Sequence, residues 1–528
     1  MATNKEGLFE IVIMGGTPGG IATAITSARL GHQVALIEPH HHLGGMTTSG
    51  LGKSDVEQKE FIGGLFKEFT QKVYEFYKNT YGEESNNVKL CREGYYFEPS
   101  VAENILMEMI EETGKITIFK GYYLKEAKVK GSELVGISIV KKATDELYAI
   151  GGKIFIDATY EGDLFALSGA PYRLGRESRN EFNEPHAGVI YFDFDKGVVL
   201  AGSTGAADDG LPAYTYRYCL TTDIRNSRIM EKEPDNYDRS LYTPYFDDLK
   251  SGRLSAPTIF HEGWGYYPEH FDTMVRALSI TDLPNSKVDG NTNPRPLAFP
   301  YPEENKGYIE GDQETRNRIC DRHRDIALGL IWFLQNDPEI PEEHRKMALR
   351  YHLPLDEFTD NDNFPFQLYV REGRRLKGEY TLTEHDVAIT EYSPDFFSHH
   401  DTIAMGEFPI DSFPVHKKAS EDKVVLEGYL GMLAHLTRPY EIPYRAMIPE
   451  KIDGLIVPVA LSATHVAFCS IRMEPTWMSL GQAAGVAAHV CLKYNDVPRN
   501  VNISEVRNLL KKQGQVLKNE LLPSDNQQ

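Results

Sequence analysis

The feature that most constrains this chain lies in its first forty residues. Phe9-Glu10-Ile11-Val12-Ile13-Met14 is a short apolar run rich in β-branched residues, the pattern of a strand buried on both faces. Gly15-Gly16-Thr17-Pro18-Gly19-Gly20 interrupts it. Ile21 to Leu30 then carries the small residues Ala22, Ala24 and Ala28, suited to a helix packed closely on a sheet, and Gly31-His32 ends it. Gln33-Val34-Ala35-Leu36-Ile37-Glu38 predicts a second strand closed by an acid. Strand, glycine-rich turn, helix and strand in that order predict a Rossmann-like α/β unit around a parallel sheet.

Such a unit has a specific chemistry. The first turn of its helix offers unpaired N–H groups and the positive end of the helix dipole to a pyrophosphate. Gly15 permits the tight turn, Gly20 permits close helix–strand packing, and Gly16, Pro18 and Gly19 complete the loop. Glu38, 18 positions after Gly20 and followed by Pro39, is placed to accept hydrogen bonds from a ribose hydroxyl. The middle glycine of the usual G-x-G-x-x-G is Thr17 here; it keeps its N–H, and its hydroxyl is expected to add a phosphate contact. FAD and NAD share this fingerprint.

Charge sharpens the argument. The chain has 56 basic against 77 acidic residues, a net −21. Such a surface repels phosphate backbones, so nucleic acid is excluded as a partner, and any anionic ligand must be held by local geometry. The five cysteines are scattered with no C-x-x-C, which argues against zinc ribbons and dithiol redox chemistry. His40-His41-His42 are adjacent and cannot all face one ion, so no metal is expected. The longest apolar stretch, near Leu455 to Leu461, is far below the ~18 residues of a membrane span. The first strand begins within ten residues, which fits a cytoplasmic protein or a secreted or periplasmic one whose leader has been removed.

Further along, Ile116–Tyr123, Lys125–Lys130, Leu134–Val140 and Glu146–Ile150 read as strands separated by turns, and Lys153–Asp157 as another buried strand. Asn317 to Gln335 is an amphipathic helix, Gly454–Val457 a strand and Pro475–Tyr494 a buried helix rich in Ala and Gly. The stretch between is irregular and rich in aromatics. Residues 8–175 and 440–517 are therefore expected to build one cofactor domain, with an α+β substrate domain inserted at 176–439 and a polar tail at 518–528.

His42-Leu43-Gly44-Gly45-Met46-Thr47-Thr48-Ser49-Gly50 follows Glu38 closely, and a second glycine pair suits a backbone running against a long extended cofactor. This stretch resembles the FAD-dependent oxidoreductase family with the glutathione-reductase-like FAD-binding fold. The resemblance continues through Asp157-Ala158-Thr159-Tyr160-Glu161-Gly162-Asp163-Leu164, Ala213 to Leu220, Leu368 to Arg375 and Ile442 to Arg445. It closes on Leu461 to His465, Ser470 to Met478 and Gly481 to Gly485. Some relatives carry a xanthan lyase label, an activity not carried over here. Many members have Gly-Arg where this chain has Pro458-Val459, and Asp-Ser-His-Asn where it has Phe397-Ser398-His399-His400; the second departure implies a shifted substrate pocket.

The resemblance implies bound FAD, and Gly44, Gly45, Met46, Thr48, Ser49, Gly50, Asp157, Ala158, Thr159, Asp163, Arg472, Gly481 and Gln482 join the turn, Glu38 and Pro39 as candidate contacts. By analogy, the helix after Arg472 points its N-terminus at the flavin pyrimidine. With the redox step supplied by flavin, the protein must orient a substrate and move one proton. His465 and His399 are the candidate bases, with His400 behind them. Arg371, Arg374, Arg375, Arg445 and Arg472 are candidates to clamp a carboxylate, a set of sugar hydroxyls or reduced flavin, with a buried Arg371–Glu372 ion pair as the alternative for Arg371. Trp264, Tyr266, Tyr267, Trp332, Phe333 and Tyr369 are sugar-stacking candidates or simply core. The expected function is hydride transfer between a small organic substrate, a sugar or glycoside among the candidates, and flavin, with oxygen, a quinone or another acceptor as reoxidant. A flavin-assisted carbohydrate lyase and a non-catalytic flavin-binding module are the alternatives.

Overall fold

Five parallel strands form the base of the fold: β1 (Ile11–Met14), β2 (Val34–Glu38), β3 (Ile116–Lys120), β4 (Ile154–Asp157) and β5 (Leu455–Ile456). They belong to a computed structural model that describes residues 5–518 apart from 194, 195, 197, 252–271, 275, 276, 293–300, 392–397, 417–424, 432 and 434. The spatial order is β5-β4-β1-β2-β3. Met14 lies opposite Ile37 on one side and Asp157 on the other, so the carboxyl ends of β1, β2 and β4 are flush. That edge is where open α/β sheets take ligands.

Both faces of the sheet are covered, which is why β1, β2 and β4 are continuous apolar runs rather than alternating ones. Ile11 and Ile13 pack toward α1 (Pro18–Arg29), the crossover from β1 to β2. Val12 and Met14 face the other way, toward Leu134, Ile137 and Ile150 of a second sheet. That sheet is antiparallel over Tyr122–Lys130, Glu133–Lys141 and Leu147–Gly151, with Lys5–Leu8 paired parallel to the last; of the four strands expected here, the first (Ile116–Tyr123) instead gives most of its length to β3 of the parallel sheet, and its end merges with the expected Lys125–Lys130.

Two further helices follow β5. α2 (His465–Ile471) is capped by Thr464, whose hydroxyl accepts from the Ala467 N–H, and α3 (Glu474–Tyr494) lies along α1. The approach is close because glycine faces backbone: a Cβ on Gly481 would lie 2.0 Å from the Gly19 carbonyl oxygen, and one on Gly485 2.9 Å from that of Thr23.

The long middle stretch contributes an antiparallel sheet from Tyr218–Thr221, Asp272–Met274, Leu278–Asp282 and Lys287–Thr292, and a helix over Gln313–Asn336. That helix starts four residues before the expected Asn317, because Asp312 caps it by accepting from the Thr315 N–H. Phe333 is core, packed against Tyr242 and Tyr245. Trp264, Tyr266, Tyr267, Phe397 and the tail beyond 518 lie outside the described residues.

Candidate cofactor and active site

The glycine-rich turn has little freedom. Gly15 adopts φ +101°, and a Cβ there would sit 2.6 Å from the Ala158 carbonyl oxygen; one on Gly20 would sit 1.9 Å from that of Gly15. Thr17 caps α1: its hydroxyl accepts from the Gly20 N–H at 3.2 Å and donates to the Ala158 carbonyl at 2.8 Å. The hydroxyl expected on a phosphate is thus engaged in holding the helix start to β4. Pro18 has no N–H, and among the described residues those of Thr17 and Gly19 go to no acceptor. Two free N–H groups on the positive end of a helix form an anion cradle.

Glu38 closes β2 beside this cradle. Its carboxylate accepts from the Gly16 N–H at 2.7 Å and the His40 N–H at 2.9 Å, and burial pushes its pKa up to about 7. It lines a cavity of about 570 Å³ at the carboxyl ends of β1, β2 and β4, together with Gly15, Thr17, Pro39, Thr159 and Asp163. Tyr308, Arg316 and Cys320 of the middle stretch form the opposite wall. Asp163 reaches the cavity already paired: Arg316 bonds its carboxylate at 2.5 and 2.8 Å and Arg374 at 2.8 Å. Burial drives its pKa upward, but the two guanidinium groups outweigh that and hold it below the usual range. Asp157 anchors the turn after β4, accepting from the N–H and hydroxyl of Thr159 at 3.1 and 2.7 Å and from the Phe165 N–H at 2.9 Å. Ala158 donates its N–H to Met14 at 2.8 Å.

The second glycine pair leads away from the cradle. The Gly44 N–H donates to the Gly16 carbonyl at 2.7 Å, and positive φ at Gly44 and Gly45 starts a tight turn over Gly45–Thr48. Met46 donates its N–H to the Tyr160 oxygen at 3.1 Å, and Tyr160 donates its hydroxyl to Glu474, the first residue of α3, at 2.7 Å. Burial pushes the Glu474 carboxyl up to about 8. Thr48 ties back to the Leu43 carbonyl at 2.5 Å, and the Ser49 hydroxyl accepts from the Gln367 N–H at 2.9 Å. A Cβ on Gly50 would lie 2.4 Å from the Arg217 carbonyl oxygen. Residues 44–50 therefore run from the cradle to a cluster of buried arginines.

In that cluster Arg472, just ahead of α3, donates to the Tyr369 oxygen at 3.1 Å and to the Asp411 carbonyl and carboxylate at 2.7 and 3.2 Å. Arg217 forks onto Asp289 at 2.5 and 3.1 Å. Of the other predicted clamps, Arg375 pairs with Glu177 at 2.8 Å and Glu372 at 2.9 Å, Arg445 with Asp401 at 3.0 Å, and Arg374 with Asp163. Arg371 is different. It is fully buried, has no carboxylate at ion-pair distance among the described residues, and bonds only the Ala213 carbonyl at 2.6 Å and the Thr215 hydroxyl at 3.0 Å. The Arg371–Glu372 pair is not formed, because Glu372 turns to Arg375 and His465. Gly481 serves the α1–α3 contact, and Gln482 accepts from the Leu65 N–H and donates to Gln513, each at 2.8 Å.

His465 opens α2. Its Nδ1 lies 2.7 Å from the Glu372 carboxylate, which pairs in turn with Arg375, and its N–H donates to Glu177 at 2.9 Å. His399 has other neighbours: its N–H donates to Glu441 at 2.9 Å, its Nε2 lies 3.6 Å from Asp386, and its ring meets Tyr380 edge-on. The two histidines share none of these partners. His400 is largely exposed. Tyr160, Glu474 and Asp411 were not singled out as site residues from the sequence, and Glu372 was considered only as a partner for Arg371; Tyr160, Glu372 and Glu474 lie within the quoted motifs, while Asp411 carries no local signal.

The sequence profile of the FAD dependent oxidoreductase family matches residues 10–510. No curated protein matches the chain. Among solved structures, a geranylgeranyl bacteriochlorophyll reductase-like protein from Thermoplasma acidophilum is 11% identical, with 97% of this chain and 85% of that one covered at a TM-score of 0.38. A myxobacterial chondrochloren halogenase is 11% identical, with 96% and 79% covered at 0.36. L-proline dehydrogenase from P. horikoshii is 18% identical over 34% of this chain at 0.19, and the chain spans only 26% of that protein's length. Among the described residues no helix is long and apolar enough to cross a membrane. With nearly the whole chain matched and unpaired N–H groups at a helix start at the end of its parallel sheet, this protein belongs to the FAD dependent oxidoreductase family and is an enzyme of that kind.

Proposed function

We propose that this enzyme transfers hydride between a small organic substrate and FAD, with the cofactor domain drawn from residues 8–175 and 440–517 and the substrate domain from 176–439. The observation that carries this reading is the continuous path from the free N–H groups of Thr17 and Gly19, along residues 44–50, to Arg472 and Tyr369. An extended dinucleotide fits it: the cradle would hold pyrophosphate, Glu38 the ribose, and the start of α3 would face the flavin. When bound, FAD supplies a ring that exchanges hydride at N5.

The chain's own residues supply the proton chemistry. Glu372 fixes the tautomer and orientation of His465 through Nδ1, leaving Nε2 to take or give a proton on a substrate oxygen.

The test is anaerobic titration of the purified yellow protein with a panel of sugars and hydroxy acids, followed at the flavin absorption band. Bleaching with formation of an oxidised product is expected, and His465→Asn should slow it by ~100-fold or more. A colourless protein that cannot be loaded with FAD would sink the reading. Bleaching without oxidised product would turn it toward elimination, and no bleaching with any substrate toward a binding module.

A further inference from the structure

We propose that the Tyr369 hydroxyl, backed by Arg371 and Arg472, binds an anionic oxygen of the substrate, so that the substrates are carboxylates rather than neutral sugars. This rests on the placement above of the flavin end beside Arg472 and residues 44–50.

The hydrogen-bond directions argue first. Arg472 Nη1 donates to the Tyr369 oxygen at 3.1 Å, and a guanidinium can only donate. The tyrosine's own proton is therefore free to point elsewhere, and among the described residues it meets no acceptor. Tyr369 is only 6% exposed, so this donor is held in a nearly closed space.

The charges argue second. Arg371 lies 4.3 Å from the centre of the Tyr369 ring and 3.7 Å from that of Phe413, enclosed between the two faces. Its Nε has no acceptor, and both its bonds go to neutral oxygens. Neighbouring Arg472 is matched by Asp411 and Arg217 by Asp289, and Asp55 adds a further carboxylate on the side of Arg217 and Arg472, whereas Arg371 has no carboxylate at ion-pair distance among the described residues and is left without a direct partner. Burying an unmatched charge is costly, and the cost falls when an anion arrives within reach. A carboxylate accepting the Tyr369 hydrogen bond would answer both the open donor and the open charge; a neutral hydroxyl would answer only the first. Burial keeps the phenol pKa above its ordinary value while Arg472 and Arg371 pull against it, so the group remains a donor near neutral pH.

The experiment uses the FAD-loaded protein, titrated with glycolate and oxalate against glycerol and glucose, read by perturbation of the flavin spectrum and by calorimetry. Both carboxylates should bind at least ten times more tightly than the neutral probes. Tyr369→Phe keeps the ring and the packing but removes the oxygen that accepts from Arg472; it should lower the melting temperature modestly and weaken carboxylate binding about ten-fold or more while the protein still loads with FAD. Arg371→Met should weaken it as well, and Arg371→Lys should restore part of the loss. Equal binding of carboxylates and neutral probes, or unchanged carboxylate binding in Tyr369→Phe, would overturn the proposal. It would also fall if Arg371→Met left carboxylate binding intact and only lowered the flavin midpoint potential, since the charge would then serve reduced flavin. Calorimetric binding sensitive to Tyr369→Phe but silent in the flavin spectrum would support the anion site and refute its placement beside the flavin.

Discussion

Glu38 combines two demands that pull in opposite directions, and replacing it separates them. Its carboxylate accepts the Gly16 and His40 N–H groups, yet burial raises its pKa from 4.5 to about 7. A carboxyl whose pKa is raised on folding stabilises the folded state below its unfolded pKa and loses that contribution as pH rises through the folded value. At ~1.4 kcal/mol per unit, the FAD-free protein should lose about 3 kcal/mol from this group between pH 4.5 and 8. Glu38→Gln cannot ionise and offers one oxygen to two donors, leaving one N–H unsatisfied at a cost of ~1–3 kcal/mol. The variant should therefore be the less stable protein at pH 5 and draw level with or overtake the parent at pH 8.5. Urea unfolding of FAD-free protein at the two pH values measures the difference. FAD binding should respond differently: a ribose hydroxyl bonded to a carboxylate contributes ~1.5–3 kcal/mol, so Glu38→Ala should weaken FAD by about 10- to 150-fold at pH 8. A stability difference that does not change with pH would refute the buried-acid argument. Unchanged FAD affinity in Glu38→Ala would refute the placement of the ribose.

The same reasoning extends to Glu184, Glu407 and Glu474, each pushed to about 8 by burial, so the urea midpoint of FAD-free protein should fall between pH 6 and 9, and less steeply in Glu474→Gln. Gly481→Ala would place a methyl 2.0 Å from the Gly19 carbonyl and should cost ~1–3 kcal/mol of stability while weakening FAD through the displaced cradle; an unchanged melting temperature would show that the helices yield freely. Glu372→Gln removes the charge that orients His465 and should lower kcat/KM by ~10- to 100-fold with FAD content intact, as measured by steady-state turnover.

The cofactor half of this protein was legible in its sequence because its constraints are local. A tight turn needs Gly15 at positive φ, a helix backed onto that turn admits no side chain at Gly20, and a sheet covered on both faces needs unbroken apolar strands. All three leave marks within thirty residues of one another. Even here one local assignment changed: Thr17 uses its hydroxyl as a helix cap, because the strand end at Ala158, 141 residues away, supplies the acceptor.

The catalytic half was not legible in the same way. Arginines at 371, 374, 375, 445 and 472 are alike in sequence, and only folding decides which of them meets a carboxylate. Asp163, Glu372, Asp401 and Asp411 match four of the five, Asp163 across more than 200 residues of chain, and leave Arg371 without a partner at ion-pair distance among the described residues. His465 gains its orienting partner from Glu372, 93 residues away, while His399 gains different neighbours altogether. The sequence by itself determined that unpaired backbone N–H groups would stand at a helix start at the end of a parallel sheet, since that arrangement depends on short-range conformation. Which charges stay unmatched beside it depends on long-range pairing in a medium that screens poorly, and only the tertiary structure decided that.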